Sequence, residues 1–411
     1  MNGERLSPID AQNLVSLEVG GMKYDGWKSV RIKHSVEHLA GTFTLDVSDR
    51  WPDQTEAFAI EPGATCTVMI GEDVMITGYI DMVQVKATAK EHTITVEGRD
   101  KTGDLVDCSA PPMEWLDMLF EDIAAEVCAE YGIDVIVEAS GGIKLPRKST
   151  NTQETCHKLL DKMAKIQGVM MISDRLGNLK LTRAGLQGEA YDMLVLGENL
   201  TKLDYERSFA NLYSSITVKS QVNGAQDGGG GQTNGDINTK QIGAVERLSG
   251  AGSGQTQNVV ISKPSPNSKT PKKTKAVFTV ENEGIDRHRP LIIIAEDQAT
   301  DDRCQLRAEW EAGTREAKSK KISVQVQGWR QSNGAIWEIN TLVYMRCPWV
   351  KEDQVMLISA IEFSLDMSGG TVSNMTIYAP EAYDVLPVIP QPDKHSGQYK
   401  SQRVERLSGA R

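Results

Sequence analysis

Residues 98–109 read GRDKTGDLVDCS, and this stretch decides the fold. Ahead of it, His92–Glu97 alternates polar with apolar residues, the period of two that marks a half-buried strand. Gly98, Arg99 and Asp100 close that strand with turn-forming and charged residues, and Asp104, Leu105 and Asp107 lead into a helix. The chain therefore leaves β structure here and enters a domain of another kind.

Upstream, Leu14–Gly98 reads as antiparallel β structure. Trp27–Ser35 and Thr42–Asp49 alternate, which puts Val30, Ile32 and His34 on one face of their strand and turns Phe43, Leu45 and Val47 toward the core from the next. Gly20-Gly21, Gly71-Glu72-Asp73 and Thr88–Glu91 supply hairpin turns. Short strands joined in this way predict a small closed or nearly closed barrel over residues 1–100.

Downstream, Leu116, Leu119, Phe120, Ile123 and Val127 recur at helical spacing, predicting a helix over Met113–Tyr131 between Pro111-Pro112 and a Gly132 stop. A second helix is predicted over Thr152–Gln167, opened by Asn151 and Glu154 as a capping box and closed by Gly168. Val169–Ser173 and Leu179–Thr182 then form a hairpin, so residues 101–190 make an inserted α/β domain. Residues 191–380 return to β structure, with strands within Leu203–Ser220, at Leu291–Ala295 and from Ile322 to Tyr378, and with a linking helix over about 298–318. The stripe of that helix is Ala299, Leu306, Trp310, Gly313 and Ala317, and Gly313, costing ~1 kcal/mol in a helix interior, is expected to allow close backbone approach. Residues 224–275 are too poor in large apolar side chains to offset an ordering entropy of ~1–2 kcal/mol per residue and read as a mobile polar insertion. Residues 381–411 form an extended basic tail, and VERLSGA occurs at both Val245–Ala251 and Val404–Ala410.

The 411 residues carry 45 basic and 56 acidic side chains, a net charge of −11 that argues against a protein built to grip nucleic acid by charge. Eleven acids against Arg99 and Lys101 lie between Gly98 and Glu138, whereas Lys263, Lys269, Lys272, Lys273 and Lys275 share a stretch without acids. No run of ~18 apolar residues is present to cross a membrane, and Met1–Gly20 lacks the pattern of a signal peptide. Cys66, Cys108, Cys128, Cys156, Cys304 and Cys347 form no CxxC pair, which fits reduced thiols in a cytoplasmic product and gives no zinc site.

Catalysis needs convergent groups, and the recognisable sets are missing. Gly228–Gly231 has no following Lys-Ser/Thr for phosphate, Ser253 sits in no GxSxG elbow, and His34 and His38, four apart on or beside a strand, are too far apart to share a metal. His92, His157, His288 and His395 have no HExxH-like company. Asp104 and Asp107 are the sharpest carboxylate pair, but at a strand-to-helix connection they serve to cap backbone N–H groups or to pair with Arg99. No enzyme activity, cofactor or metal is expected.

The segment from Gly98 to Cys108 resembles that of the central baseplate hub proteins of Mu-like contractile phage tails (the late-control D, phage baseplate hub family), in which Gly98, Arg99, Asp100, Asp104, Leu105 and Asp107 match structural signature positions. Thr152–Gly185, Ala308–Gly328, Gly334–Thr341 and Asn374–Asp384 are similar to later segments of the same family, in the same order. The resemblance implies a mainly β fold with an α+β insertion: two small β-barrel domains per chain, an inserted α/β domain, and a homotrimeric ring of pseudo-sixfold symmetry. It further implies a virion protein, assembled in the host bacterial cytoplasm, that adapts a sixfold tail tube to a threefold membrane-piercing spike. Its implied partners are the tail tube protein, the central spike protein and other baseplate proteins, with DNA passing through the lumen unbound and no membrane insertion. The alternatives are a hub or spike-base protein of a pyocin-like or type VI-like injection device, and a carbohydrate-binding or carbohydrate-cleaving tail-tip protein.

Overall fold

The computed structural model describes residues 12–48, 60–87, 92–151, 153–220, 259–260, 277–282, 284–295, 301–366 and 370–385. They divide into two compact units, one made of the residues up to Glu206 with those from Lys320 onward, the other of Arg207–Ser319. The turn at 88–91, the tail from 386, both copies of VERLSGA and all of 224–275 except Val259–Val260 lie outside the described residues.

The first unit begins with β1 (Val15–Val19), β2 (Met22–Tyr24), β3 (Ser29–Ser35), β4 (Thr42–Ser48), β5 (Thr65–Ile70), β6 (Asp73–Ala87) and β7 (His92–Asp100). The alternation fixes which way they face: Val30, Ile32, Phe43, Leu45 and Val47 are buried, and His34 is buried with them. The insertion follows as α1 (Gly103–Asp107), β8 (Glu114–Met118), α2 (Phe120–Ala129), β9 (Val135–Val137), β10 (Leu145–Ser149), α3 (Cys156–Gln167), β11 (Met170–Ser173) and β12 (Leu179–Thr182). It has its own core, in which Leu105, Phe120, Ile123, Leu160 and Leu181 meet.

The helix expected over Met113–Tyr131 is instead a strand followed by a helix. Trp115 points inward at 3 % exposure while Leu116 points out at 64 %, which is strand phase, and β8 pairs with β10 from Glu114 to Met118. Asp117, at a φ of 53°, interrupts the backbone before α2 begins. The second helix starts at Cys156, later than expected, because Thr155 is its N-cap and accepts from the Lys158 N–H at 3.4 Å. Asn151 and Glu154 do meet, 3.2 Å apart through the Asn151 Nδ2, but in the turn ahead of the helix. Gly168 ends it in the left-handed conformation, at a φ of 64°.

β13 (Leu194–Val195) and β14 (Leu200–Arg207) lead to the second unit, which holds β15 (Ser215–Lys219), β16 (Val259–Val260), β17 (Val277–Glu281), β18 (Pro290–Ile294) and α4 (Asp301–Lys318). These strands form a sheet of their own, in the order β16-β17-β15-β18, rather than part of a second barrel. Val218, Phe278 and Val280 pack there against Cys304 and Ala308 of α4. The expected stripe of α4 is corrected accordingly: Leu306 is 54 % exposed, and a Cβ on Gly313 would meet nothing within 4 Å, so this glycine permits no close approach.

The first unit resumes with β19 (Lys320–Gln327), β20 (Leu342–Cys347), β21 (Glu352–Asp366) and β22 (Gly370–Tyr378). Two closed barrels are not formed among the described residues. One 13-stranded sheet runs β14-β19-β22-β21-β3-β4-β7-β6-β5-β1-β2, with β20 beside β21 and β13 beside β20. The cause lies in β21, whose first half pairs with β20 (Leu342 opposite Leu357) and whose second half pairs with β3 (Ala360 opposite Ser35). The edge groups that closure of one barrel would use are given to the other half of the sheet.

The two halves repeat one arrangement. The order β3-β4-β7-β6-β5 in the first matches β14-β19-β22-β21-β20 in the second. β6 and β21 each carry an irregularity at the same place, between Ile80 and Met82 and between Ile358 and Ala360. Just before it, Tyr79 lies opposite Thr65 at the start of β5, as Leu357 lies opposite Leu342 at the start of β20. A shared core of Ile32, Leu45, Val96, Trp329, Trp337 and Met375 joins the halves. Arg330 ties them at the rim, donating to the carbonyls of Gln12 and Ile70 and pairing with Asp73 at 2.7 Å.

Candidate functional site: the strand-to-helix junction

β7 delivers Gly98, Arg99 and Asp100 to the point where the sheet ends and the insertion starts. Gly98 is required by close approach, because a Cβ there would lie 2.3 Å from the Tyr79 carbonyl and 2.6 Å from the Phe43 ring. Arg99 is a clamp between two carboxylates, its Nε 2.7 Å from Asp81 Oδ2 on β6 and its Nη2 2.7 Å from Asp107 Oδ2 on α1. The guanidinium holds the Asp107 carboxyl below the usual carboxylate range. Asp107 thus pairs with Arg99 and is not a cap.

Asp100 takes the capping role. Its side chain accepts from the Gly41 N–H at 2.6 Å, the Thr102 N–H at 2.9 Å and the Thr102 hydroxyl at 2.6 Å. Burial pushes its pKa up to about 6 against the hydrogen bonds from Thr102, Ser173 and Gly41, which favour the charged form. Leu105 is fully buried and plants α1 in the core of the insertion, while Asp104 occupies the first turn and its carbonyl accepts from the Cys108 N–H at 2.8 Å. Gly98, Arg99, Asp100, Asp104, Leu105 and Asp107 are therefore brought to one junction.

Three contacts that the sequence reading missed complete the attachment of the insertion. Arg175 in the β11–β12 turn pairs with Glu338 at 2.9 Å. Asn340, fully buried at a φ of 59°, accepts from the Gly185 N–H at 2.9 Å and donates to the Arg183 carbonyl at 2.9 Å. Asp81 supplies the second carboxylate on Arg99. Asn340 lies within Gly334–Thr341, but an isolated asparagine gives no period or spacing by which its role is read.

A small cleft opens beside this attachment, lined by His34, Asp174, Arg175, Lys180, Trp337 and Glu338. His34 Nε2 and Trp337 Nε1 have no hydrogen-bond partner among the described residues. Desolvation, and after it the Arg175 charge, hold the imidazole down at about 4, so it is neutral at pH 7. With its pKa held at about 4 the imidazole is a weak base and carries no extra proton to donate at pH 7. Among the described residues no group of three His, Cys, Asp or Glu side chains is placed to hold a metal ion. None of the six cysteines is joined in a disulfide, and five of them are buried.

Comparison with known proteins agrees along the chain. Residues 14–100 match the family described as Mu phage baseplate assembly protein GpP-like, N-terminal. Residues 102–183 match the second domain of the gp44-like baseplate hub proteins, and residues 300–386 the fourth domain of the Mu phage baseplate assembly protein GpP. The baseplate hub protein gp44 of Escherichia phage Mu is 32 % identical over 384 residues, which cover 92 % of this chain and 90 % of that one. The 43 kDa tail protein of prophage MuSo2 from Shewanella oneidensis superposes with a TM-score of 0.72 at 31 % identity, over 91 % of this chain and all of the other. A tail protein from Neisseria meningitidis MC58 shares the fold, with a TM-score of 0.69 at 20 % identity over 90 % of this chain and 99 % of its own. Likeness at this level over nine-tenths of both partners, with the junction inside the matched segments, shows that the chain belongs to the Mu-like phage tail baseplate hub proteins.

Proposed function

We propose that this baseplate hub protein works by geometry, as a homotrimeric ring that adapts a sixfold tail tube to a threefold spike and lets DNA pass through its lumen. The observation that carries the reading is the repeat inside the large sheet: the same strand order in both halves, with an irregularity at the same place in β6 and in β21. Three chains then present six similar elements to a sixfold partner, while their insertions recur only three times. Closed rings leave no free edge to drive open-ended assembly, and a permanent interface of this kind buries ~2,000 Å² or more. The tube protein, the spike protein and other baseplate proteins are the partners of such a ring, and the net charge of −11 keeps DNA from adhering to it. Native mass spectrometry on the full chain tests the reading. A trimer supports it, and a monomer that persists at high concentration with spike protein added refutes it.

The junction serves this function structurally. Arg99, Asp81 and Asp107 hold the insertion to the sheet, and Asp100 fixes the turn between them. An Asp107→Ala variant should melt a little lower, by an amount in the range of an exposed ion pair (~0–1 kcal/mol), because Asp107 is more than half exposed. Loss of a measurable peptidoglycan-cleaving activity in that variant, with melting unchanged, is the result that would overturn a purely structural role.

A further inference from the structure

The inserted α/β domain holds two cysteines that face each other across a backbone bridge. Cys108 is the C-cap of α1, and Cys156 is the first residue of α3. Between these helices two short segments run antiparallel, with Ser109 opposite Thr155. The Ala110 N–H donates to the Glu154 carbonyl at 2.8 Å, and the Cys156 N–H donates to the Cys108 carbonyl at 3.1 Å. This register sets Cys108 directly opposite Cys156. Residues so placed have Cα atoms ~5.5 Å apart with side chains on the same side, and ~5.5 Å is also a common Cα separation across a disulfide.

The side chains follow the backbone. The Cys156 thiol donates to the Tyr131 hydroxyl at 3.4 Å, and the charges of Cys156 and Cys108 both act on that hydroxyl. Burial pushes the Cys156 thiol up, while the Tyr131 hydroxyl opposes this by favouring the thiolate. Access is unequal. Cys156 is fully buried, whereas Cys108 is the one cysteine of the six that is not buried, so an oxidant reaches the pair through Cys108. Cys128 also acts on Cys156, but it is fully buried in the last turn of α2.

We infer that Cys108 and Cys156 are a redox pair, reduced where the protein is made and closed into a disulfide by a small disulfide oxidant such as oxidised glutathione once it meets an oxidising medium. The Cys108 thiolate attacks one sulfur of the oxidant, whose S–S bond breaks and releases one glutathione thiolate. The Cys156 thiolate then attacks the Cys108 sulfur of the mixed disulfide, and the second glutathione thiolate leaves. The two cysteines lose two electrons to the oxidant, and their two protons end on the released glutathione thiols. Asp107, held by Arg99, is the chain neighbour of Cys108, so the new bond ties the strand-to-helix junction covalently to α3. A baseplate protein leaves the reducing cytoplasm with the virion, and a disulfide persists outside. None of this depends on the ring reading.

The full-length protein, prepared reduced and then held in oxidised glutathione, should lose two hydrogens by intact mass spectrometry. Peptide mapping without reductant should join Cys108 to Cys156. Because the bond closes a long loop, the linked protein should melt higher than the reduced one by about 5 °C or more, and dithiothreitol should reverse both changes. Cys108→Ser, a change at a half-exposed position that a melt will show to be folded, should abolish the linkage, and Cys128→Ser should leave it intact. A folded protein that stays fully reduced, a glutathione adduct that persists on Cys108, or a link mapped through Cys128 overturns the pair. A link that forms with no change in melting overturns the covalent tie at the junction.

Discussion

At the scale of single residues the junction depends on space and on charge, and each gives a measurable consequence. Gly98→Ala places a methyl group 2.3 Å from the Tyr79 carbonyl, where backbone must move, and should cost ~1–3 kcal/mol or more in chemical denaturation. His34 and Asp100 titrate in opposite senses. The imidazole falls from an unfolded value of ~6.5 to about 4, so its contribution is present above pH ~6.5 and is lost as pH falls through 4. The Asp100 carboxyl rises from ~3.9 to about 6, so its contribution is present below pH ~3.9 and is lost as pH rises through 6. The two offset each other between pH 4 and 6. Removing the imidazole in His34→Gln leaves the Asp100 slope alone, so the stability of wild type relative to the variant should decline by up to ~3 kcal/mol between pH 6.5 and 4, read from melts across that range. The positions of Gly98, Arg99, Asp100 and Asp107 were legible because a strand end, a charge pair and a turn residue each leave a local signal. Which acid caps and which pairs was not, since both roles use the same side chain and only the fold chooses.

At the scale of elements the period of two was a reliable guide, and the period of 3.6 was not always one. Val30, Ile32, Phe43, Leu45 and Val47 lie inside as their alternation requires. The segment after Pro111-Pro112 has helical spacing at Leu116, Leu119 and Phe120, yet pairing with β10 and inward burial of Trp115, whose Nε1 donates to Glu126 at 2.7 Å, override it. The same lesson applies to α4. Its inward residues are Cys304, Ala308, Glu311 and Ala317, and the sequence period alone did not separate that face from the one carrying Leu306 and Gly313. With open space at its Cβ position and a helical backbone, Gly313 carries only the entropic penalty of glycine. Gly313→Ala should therefore stabilise the second unit by ~0.5–1 kcal/mol, seen as a higher melting temperature or denaturant midpoint. A loss of stability would mean that the glycine is needed for a contact of the assembled protein.

At the scale of the whole molecule, the repeat in the sheet explains where the rest of the chain is inserted. β3 and β4 are joined by a short connection, Val36–Gly41, whereas the equivalent pair β14 and β19 is interrupted by the entire second unit. The ends of that interruption are close together, since the Ser208 N–H donates to the Ser319 carbonyl at 2.7 Å, the spacing of a closed hairpin. No local signal in the sequence reveals this, because strand partners separated by more than a hundred residues leave no trace in periodicity, and β15, β17 and β18 alternate much as strands of the large sheet do. If the second unit is an insertion at a hairpin, it is dispensable for the sheet that carries it. Replacing residues 209–318 with a short Gly/Ser turn should leave a protein that melts cooperatively, because the large sheet and the inserted α/β domain keep both of their cores. Assembly is the more telling readout. If the two halves of the large sheet close the ring, the shortened chain should still give a trimer by native mass spectrometry. A shortened chain that folds but remains monomeric would assign ring closure to the second unit instead.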